Sequence, residues 1–191
     1  MTSKRSSYVL FAASLLIPAA QIHATSMLKM DLADLTLRAE RIFRGTVISV
    51  EQGAIEAGGG ELPAVTYRFE VEELYKGEAS QVKGDRAIIE IRMVGSLKKE
   101  AAAQDGSVRF SLFRDVPRFD EGGDHLLFTT PESAIGLSTT VGLGQGAFKV
   151  FPVDGVYRAV NEFNNAGLDL NGAGPVEYEM LRARIRALLG R

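Results

Sequence analysis

The stretch Val65–Tyr75, VTYRFEVEELY, decides the fold that the sequence predicts. Apolar and aromatic side chains occupy every second position from Val65 to Val71, and polar or charged side chains lie between them. Because successive side chains of a strand point to opposite faces, this alternation predicts a β-strand with one dry face and one charged face. We expect this strand to pair with Ile42–Val50, IFRGTVISV, through a loose connection over Glu51–Pro63 that carries consecutive glycines.

Alternating or compact apolar runs predict further strands over Arg86–Val94, Val108–Phe113, His125–Thr130, Ala147–Val153 and Val156–Val160. The run that begins at His125 is apolar enough to be a central strand. Asp154-Gly155 predicts a tight hairpin between the last two strands, because both turn residues must accept positive φ. Pro152 indicates that its strand lies at a sheet edge, or that the turn is larger than two residues.

The segments between these strands are rich in turn-forming residues and are predicted to be loops: Arg114–Asp124, Pro131–Ser138 and Asn161–Gly174. The polar insertion Ser96–Gly106 is compatible with either a surface helical turn or a loop, because helix propensity alone does not distinguish them.

A helix is expected near each end of the folded chain. Met30–Ala39 has Asp31 as a cap, and a second helix is predicted from about Pro175 to Leu189, with Pro175 in the first helical position. Its apolar stripe consists of Tyr178, Leu181, Ile185 and Leu188. These elements predict a mostly β fold, an antiparallel, OB-like, closed or partly open barrel with a helix near each end; a β-sandwich is the alternative.

The first 24 residues have the three regions of a signal peptide. Lys4 and Arg5 are followed by the apolar run Tyr8–Ala20 and by Ile22-His23-Ala24, so cleavage is expected after Ala24. The apolar run is shorter than the roughly 20 residues of a membrane-spanning helix. We therefore expect residues 25–191 to form a single exported barrel-like domain in the periplasm or secreted from a bacterium, with no transmembrane span after cleavage.

Charge and cysteine content exclude several classes of function. Removing residues 1–24, which carry Lys4 and Arg5 and no acid, changes the formal net charge from −2 to −4. A mildly acidic chain gives no reason to expect nucleic acid as a partner. The sequence has no cysteine, so it has no disulfide, thiol catalyst or thiolate zinc site.

His125 is the only histidine in the expected mature chain. Its neighbour Asp124 should point to the opposite face of the strand, so these two side chains cannot form an ordinary acid–base pair. A hydrolase would have to combine His125 with another carboxylate of the Asp115–Asp124 loop. The sequence has no G-x-S-x-G element, and one histidine cannot assemble a typical catalytic zinc site. We expect no catalytic residues, no metal and no cofactor.

The segment VGLGQGAFKV contains three glycines at alternate positions. It lacks the G-K-[ST] element and the following helix of a phosphate-binding loop, so the glycines are expected to permit a sharp bend, a bulge or a close backbone approach. We expect Gly142–Phe148 to form a binding surface at a barrel rim together with the loop Asp115–His125. The predicted binding residues are Gly142, Gly144, Gln145, Gly146, Phe148, Asp124 and His125.

The stretches LTLRAERIFRGTVISVE and TYRFEVEELYKG, together with GDHLLF and GLGQGAFKV, resemble uncharacterised bacterial secreted proteins. More distantly, Ile42–Gly77 is similar to the netrin-like/TIMP group of OB-fold barrels. This resemblance implies a barrel that binds proteins. The TIMP branch inhibits metalloproteases through an N-terminal cysteine that chelates zinc, and this chain has no cysteine, with Thr25-Ser26 at its expected mature start. The inhibitory mechanism therefore does not transfer.

The sequence thus favours an exported, non-catalytic binding module that contacts a protein or a cell-envelope partner. Two alternatives stay open. One is a hydrolase-type enzyme that uses His125 with a loop carboxylate, and the other is a structural component of the envelope.

Overall fold

The computed structural model describes residues 28–97, 116–170 and 172–191. Its elements are α1 Leu32–Arg38, β1 Arg41–Ala57, β2 Gly60–Lys76, β3 Gln81–Lys83, β4 Arg86–Val94, β5 Asp124–Thr129, β6 Ala147–Val153, β7 Val156–Asn161, β8 Val176–Glu177 and α2 Tyr178–Leu188. The expected signal peptide, the predicted strand Val108–Phe113 and most of the insertion Ser96–Gly106 lie outside the described residues.

The strands form one antiparallel sheet in the order β3-β4-β2-β1-β5-β6-β7-β8. The prediction of a mostly β, antiparallel fold with a helix near each end is confirmed. Within the described ranges the two outermost strands, β3 and β8, do not pair with each other, so the sheet is open instead of closing into a complete barrel. The single sheet also differs from the alternative of a two-sheet sandwich.

The hairpin of β1 and β2 is longer than the sequence predicts. The two strands pair as expected, but the pairing continues to Ala57↔Gly60, and the predicted loose connection over Glu51–Pro63 is wrong. Only Gly58 and Gly59 form the turn, both with positive φ (62° and 82°). Two successive left-handed residues match the right-handed twist of the strands, so the chain reverses without a loop.

The β1–β2 ladder contains three irregularities, one of them between Arg44 and Gly45. A Cβ added at Gly45 would lie 2.6 Å from the Glu70 carbonyl oxygen of the paired strand. Gly45 therefore lies at both a bulge and a close contact between the two strands. Such irregularities bend a strand and increase its twist.

Two apolar clusters lie on opposite faces of the central strands. Ile42, Leu126 and Phe128 belong to the cluster that α1 and α2 cover, whereas Phe43 and Leu127 belong to the other. All five are fully buried. Burial of one such side chain stabilises a protein by about 1.5–3 kcal/mol. β5 lies between β1 and β6 and is apolar on both faces, which confirms that it is a central strand.

The first helix begins as predicted, since Asp31 Oδ1 accepts a hydrogen bond of 2.7 Å from the Asp34 backbone N–H. The second helix begins later than predicted. Val176 pairs with Ala159 of β7, so the backbone stays extended through Glu177 and Pro175 precedes the helix. The stripe residue Leu188 is 46% exposed and lies outside the buried part of the helix, whereas the rest of the stripe is buried.

The hairpin of β6 and β7 turns through Asp154 (φ 50°) and Gly155 (φ 80°), as predicted. Pro152 pairs with Tyr157 but lies beyond Val150, the last residue of β6 that pairs with β5. Pro152 therefore occupies an edge of the sheet, where its missing N–H removes no ladder hydrogen bond.

Asn165 organises the predicted loop Asn161–Gly174. Its side chain is fully buried, and its backbone has a positive φ of 58°. Oδ1 accepts from the Asn161 backbone N–H at 2.9 Å, and Nδ2 donates to the carbonyl oxygens of Ala159 (3.0 Å) and Gly174 (2.8 Å). The loop is therefore held by side-chain bonds to backbone instead of by a ladder.

Candidate binding site

An open cleft of about 680 Å³ lies where β5 begins, between β1 and the β6–β7 hairpin. We call it the large cleft. Its lining includes Arg44, Glu72, Asp120, Asp124, His125 and Tyr157.

The large cleft exists because β5 is shorter than its neighbours. Asp124, the first residue of β5, pairs with Thr46 of β1 and Val150 of β6, and both neighbouring strands extend past it. The preceding loop fills part of this gap through hydrogen bonds between Val47 and Gly122–Gly123, with N···O distances of 2.8 and 2.9 Å. The remaining space is a notch in the sheet with a polar lining.

Arg44 forms the centre of the cleft wall. Its Nη2 lies 2.6 Å from Asp124 Oδ2 and its Nε 3.3 Å from Glu72 Oε2. The guanidinium carbon is 4.6 Å from the ring centroid of Tyr157 and 4.5 Å from that of Tyr178. Burial alone would lower the pKa of Arg44, but the carboxylates raise it above its ordinary value. All these interactions use the guanidinium internally, so Arg44 holds the wall and orients Tyr157.

A second network, centred on Glu73, fixes Tyr178 and the helix α2 to β2. Glu73 Oε2 accepts from the hydroxyls of Tyr75 (2.7 Å) and Tyr178 (3.1 Å). Glu73 Oε1 accepts from Arg182 Nε (2.9 Å) and Arg186 Nη2 (2.6 Å). Burial alone would raise the pKa of Glu73, but these hydrogen bonds and the Arg182 charge hold it below its ordinary value. Glu73 thus holds Tyr178 in place, and the ring of Tyr178 in turn packs against Arg44 in the wall of the cleft.

His125 is 9% exposed and packs edge-on against Phe119, with ring centroids 4.9 Å apart. Burial lowers its pKa to about 4, and the nearby Lys149 charge acts in the same direction while Asp124 opposes it. Asp124 bonds to Arg44 instead of the imidazole, consistent with the opposite orientations predicted for these neighbours. The hydrogen bonds of the described residues include none from the His125 ring to a carboxylate side chain. At neutral pH this histidine is an uncharged, aromatic part of the cleft lining.

The glycine segment permits close packing, as predicted. Leu143–Gly146 forms a 3₁₀ turn after Gly142, whose φ is 61°. A Cβ at Gly146 would lie 2.5 Å from the Val141 carbonyl oxygen, and one at Gly144 would overlap the Glu162 side chain. Only glycine allows the backbone to approach these groups.

Gln145 ties the glycine segment to the beginning of the described chain. Its Oε1 accepts from the Met30 backbone N–H, and its Nε2 donates to the Leu28 carbonyl oxygen, both at 2.9 Å. Phe148 is fully buried against Phe128, with ring centroids 5.8 Å apart. Of the seven residues predicted to bind, five thus contact their own chain, and only Asp124 and His125 line the large cleft.

Sequence reasoning missed the importance of Arg44 and Tyr157. The signal for Arg44 was its place on an alternating strand, and the signal for Tyr157 was an aromatic residue beside the predicted Asp154-Gly155 turn. Neither pattern shows that the two side chains stack on each other, because their contact depends on how the strands pair.

The part of the chain that the structure describes contains no cluster of three or more acidic or histidine side chains able to hold a metal ion. Within the same ranges, no helix combines the length and apolar character needed to cross a membrane. Comparisons of the chain with protein-family models, with curated proteins and with solved structures found no match.

Proposed function

We propose that this chain is an exported, non-catalytic binding module that holds a protein or cell-envelope partner at the large cleft and the adjoining β6–β7 hairpin. The observation that carries the proposal is an exposed apolar hairpin tip beside a notch in the sheet. Val153, Val156 and Tyr157 are 37%, 43% and 49% exposed. Apolar and tyrosine side chains grouped at the edge of a polar cleft are typical of protein-binding surfaces.

The fixed position of Tyr157 supports this use of the surface. Its ring stacks on Arg44, which is itself held by Asp124 and Glu72. A side chain that is already ordered loses little conformational freedom when a partner covers it, so more of the contact energy contributes to affinity.

Two other observations support the proposal. The first favours binding over hydrolysis, and the second favours an exported location over an internal one. His125 is uncharged at neutral pH and packs against Phe119, which does not provide the acid–base pair of a hydrolase. The pattern of residues 1–24 supports export, and the resemblance to netrin-like barrels agrees with protein binding. Mass spectrometry of the protein recovered from a bacterial periplasm should give a chain that begins at Thr25.

A photo-crosslinking amino acid at Val156 tests the proposed surface. Val82 of β3, which is 74% exposed, provides a matched control position. We expect a discrete adduct with a component of the periplasmic or culture fraction from position 156 and none from position 82. Excess unlabelled protein should suppress the adduct, and the Y157A variant should suppress it much less. Equal adducts from both positions, or equal suppression by both competitors, would contradict the proposal.

A further inference from the structure

A second, smaller cleft of about 260 Å³ lies on the other side of the Arg118–Lys149 ridge. We call it the small cleft. Pro117, Phe119, Ala147 and Val160 give it an apolar lining, and it shares Arg118, His125 and Lys149 with the large cleft. The two clefts are therefore separated by a ridge that carries two cationic side chains.

Arg118 and Lys149 are exposed, and neither forms a hydrogen bond or an ion pair with another described residue. Most other described arginines are paired with carboxylates: Arg41, Arg44, Arg68, Arg86, Arg92, Arg158, Arg182 and Arg186. Lys149 helps to lower the pKa of His125 and Arg118 opposes the rise in the pKa of Tyr67, while Asp120 acts in the opposite direction on both groups. The ridge thus offers two charged donors at the entrance of an apolar cleft.

The acidic side chains near the ridge either lie outside the small cleft or have an interaction of their own. Asp120 and Glu121 line the large cleft but not the small one, and Glu121 accepts a hydrogen bond of 3.1 Å from the Val50 backbone N–H. Glu162 lines the small cleft, but its side chain packs against Gly144 and has an interaction of its own. Arg118 and Lys149 are therefore the charged groups of the ridge that can bind a ligand.

We propose that the small cleft receives the free C-terminal carboxylate of a polypeptide partner, with the last aliphatic side chain on the apolar floor and the carboxylate between Arg118 and Lys149. The inference rests on the proposed binding function and names the chemistry that the partner presents. A C-terminal residue carries its carboxylate and its side chain on one carbon, which matches cations placed beside an apolar floor. The volume lies below the roughly 300–1,000 Å³ of pockets that enclose drug-sized ligands, so it suits one terminal residue.

The test compares the peptide Ala-Ala-Leu as the free acid with the same peptide as its C-terminal amide, titrated into the mature protein and followed by NMR chemical shifts. We expect the acid to shift the resonances of Phe119, Ala147 and Val160 and the amide to bind at least about tenfold more weakly, as is typical for loss of a charge-assisted hydrogen bond. R118Q and K149Q should each weaken binding of the acid by a similar factor. R38Q provides the matched control, since Arg38 is an exposed arginine of α1 that is likewise unpaired among the described residues and lines neither cleft.

Circular dichroism of each variant should show that the fold is retained. Equal binding of acid and amide would overturn the inference, as would equal effects of R38Q and R118Q. Octanoate provides an arm for a different source of carboxylate, and binding of octanoate without binding of the peptide would overturn the assignment to a polypeptide. Crosslinking from Val156 without binding of the peptide acid would reject this inference and leave the proposed binding surface standing.

Discussion

The substitution Gly146→Ala gives a direct test of why the glycine segment is needed. A Cβ at this position would lie 2.5 Å from the Val141 carbonyl oxygen and 3.2 Å from that of Phe128. Both contacts are backbone atoms that cannot rotate away, so the 3₁₀ turn or the beginning of β6 has to move. Overpacking of this kind costs about 1–3 kcal/mol, partly offset by a gain of about 0.4–1 kcal/mol from the stiffer unfolded chain.

Two further glycine substitutions extend this test. Gly144→Ala meets the side chain of Glu162, whose carboxylate can rotate away but whose Cβ, 2.9 Å from the added Cβ, cannot, so we expect a loss of about 1–3 kcal/mol here as well. Gly60→Ala is the control, because no atom lies within 4 Å of the added Cβ and φ is not positive. Its free energy of unfolding should rise by about 0.4–1 kcal/mol, because only the unfolded chain is affected.

Urea unfolding followed by far-ultraviolet circular dichroism measures all three, since the chain has no tryptophan for fluorescence. With an m-value of about 1–3 kcal/mol/M, Gly146→Ala should lower the midpoint by about 1 M at unchanged slope. If Gly146→Ala were as stable as Gly60→Ala, the close approach of the backbone at this turn would be refuted.

Three further predictions concern single side chains. Glu73→Gln should lower the free energy of unfolding by about 2 kcal/mol in urea at pH 7, because arginine and tyrosine side chains lose a charged acceptor. The pKa of Glu73 is lowered in the fold, so the difference between the variant and the parent protein should disappear as the pH falls through that lowered value. A difference that stays constant with pH would argue against the network. His125 has a pKa of about 4 in the fold against 6.5 in the unfolded chain, so the unfolded state binds the proton first as the pH falls. In urea titrations this should contribute about 3 kcal/mol to the stability lost between pH 6.5 and pH 4, and His125→Gln should reduce the loss by about that amount. Leu35→Ala should cost about 2–5 kcal/mol in thermal or urea unfolding, whereas Leu37→Ala, on the exposed side of the same helix, should be nearly neutral.

Local patterns predicted the elements whose signals are strong and short in range. The alternation of Val65–Val71 fixed a strand and its buried face, and Asp154-Gly155 fixed a hairpin. The error over Glu51–Pro63 has a physical cause. Gln52, Gly53 and Ala54 give no apolar alternation, and the strand there is held by backbone pairing with β2.

The short edge strands β3 and β8 could not be predicted from the sequence, for a different reason. β3 has three residues and β8 has two, so neither shows a periodicity. Val176 is extended because Ala159 of β7 pairs with it, and Pro175 alone suggested the opposite. Tertiary pairing decided the conformation in both places.

In the candidate site, too, local patterns identify some residues and tertiary contacts determine the rest. Asp124 and His125 were named because of their chemistry, and both line the large cleft. The stacking of Arg44 between Tyr157 and Tyr178 joins residues from β1, β7 and α2, and no local pattern contains that information. The glycines are predicted to bind a partner, yet Gly146 and Gly144 approach Val141 and Glu162 of the same chain.

The position of β1 and β5 between two apolar clusters has a consequence for how the protein unfolds. Ile42 and Phe43 are neighbours in sequence, are both fully buried, and belong to different clusters. Because β1 and β5 contribute side chains to both clusters, neither cluster can unfold without disrupting the other. Unfolding should therefore be cooperative in spite of the two cores. The amide protons of these two strands should accordingly exchange with deuterium only through global opening, more slowly than those of β3 or β8.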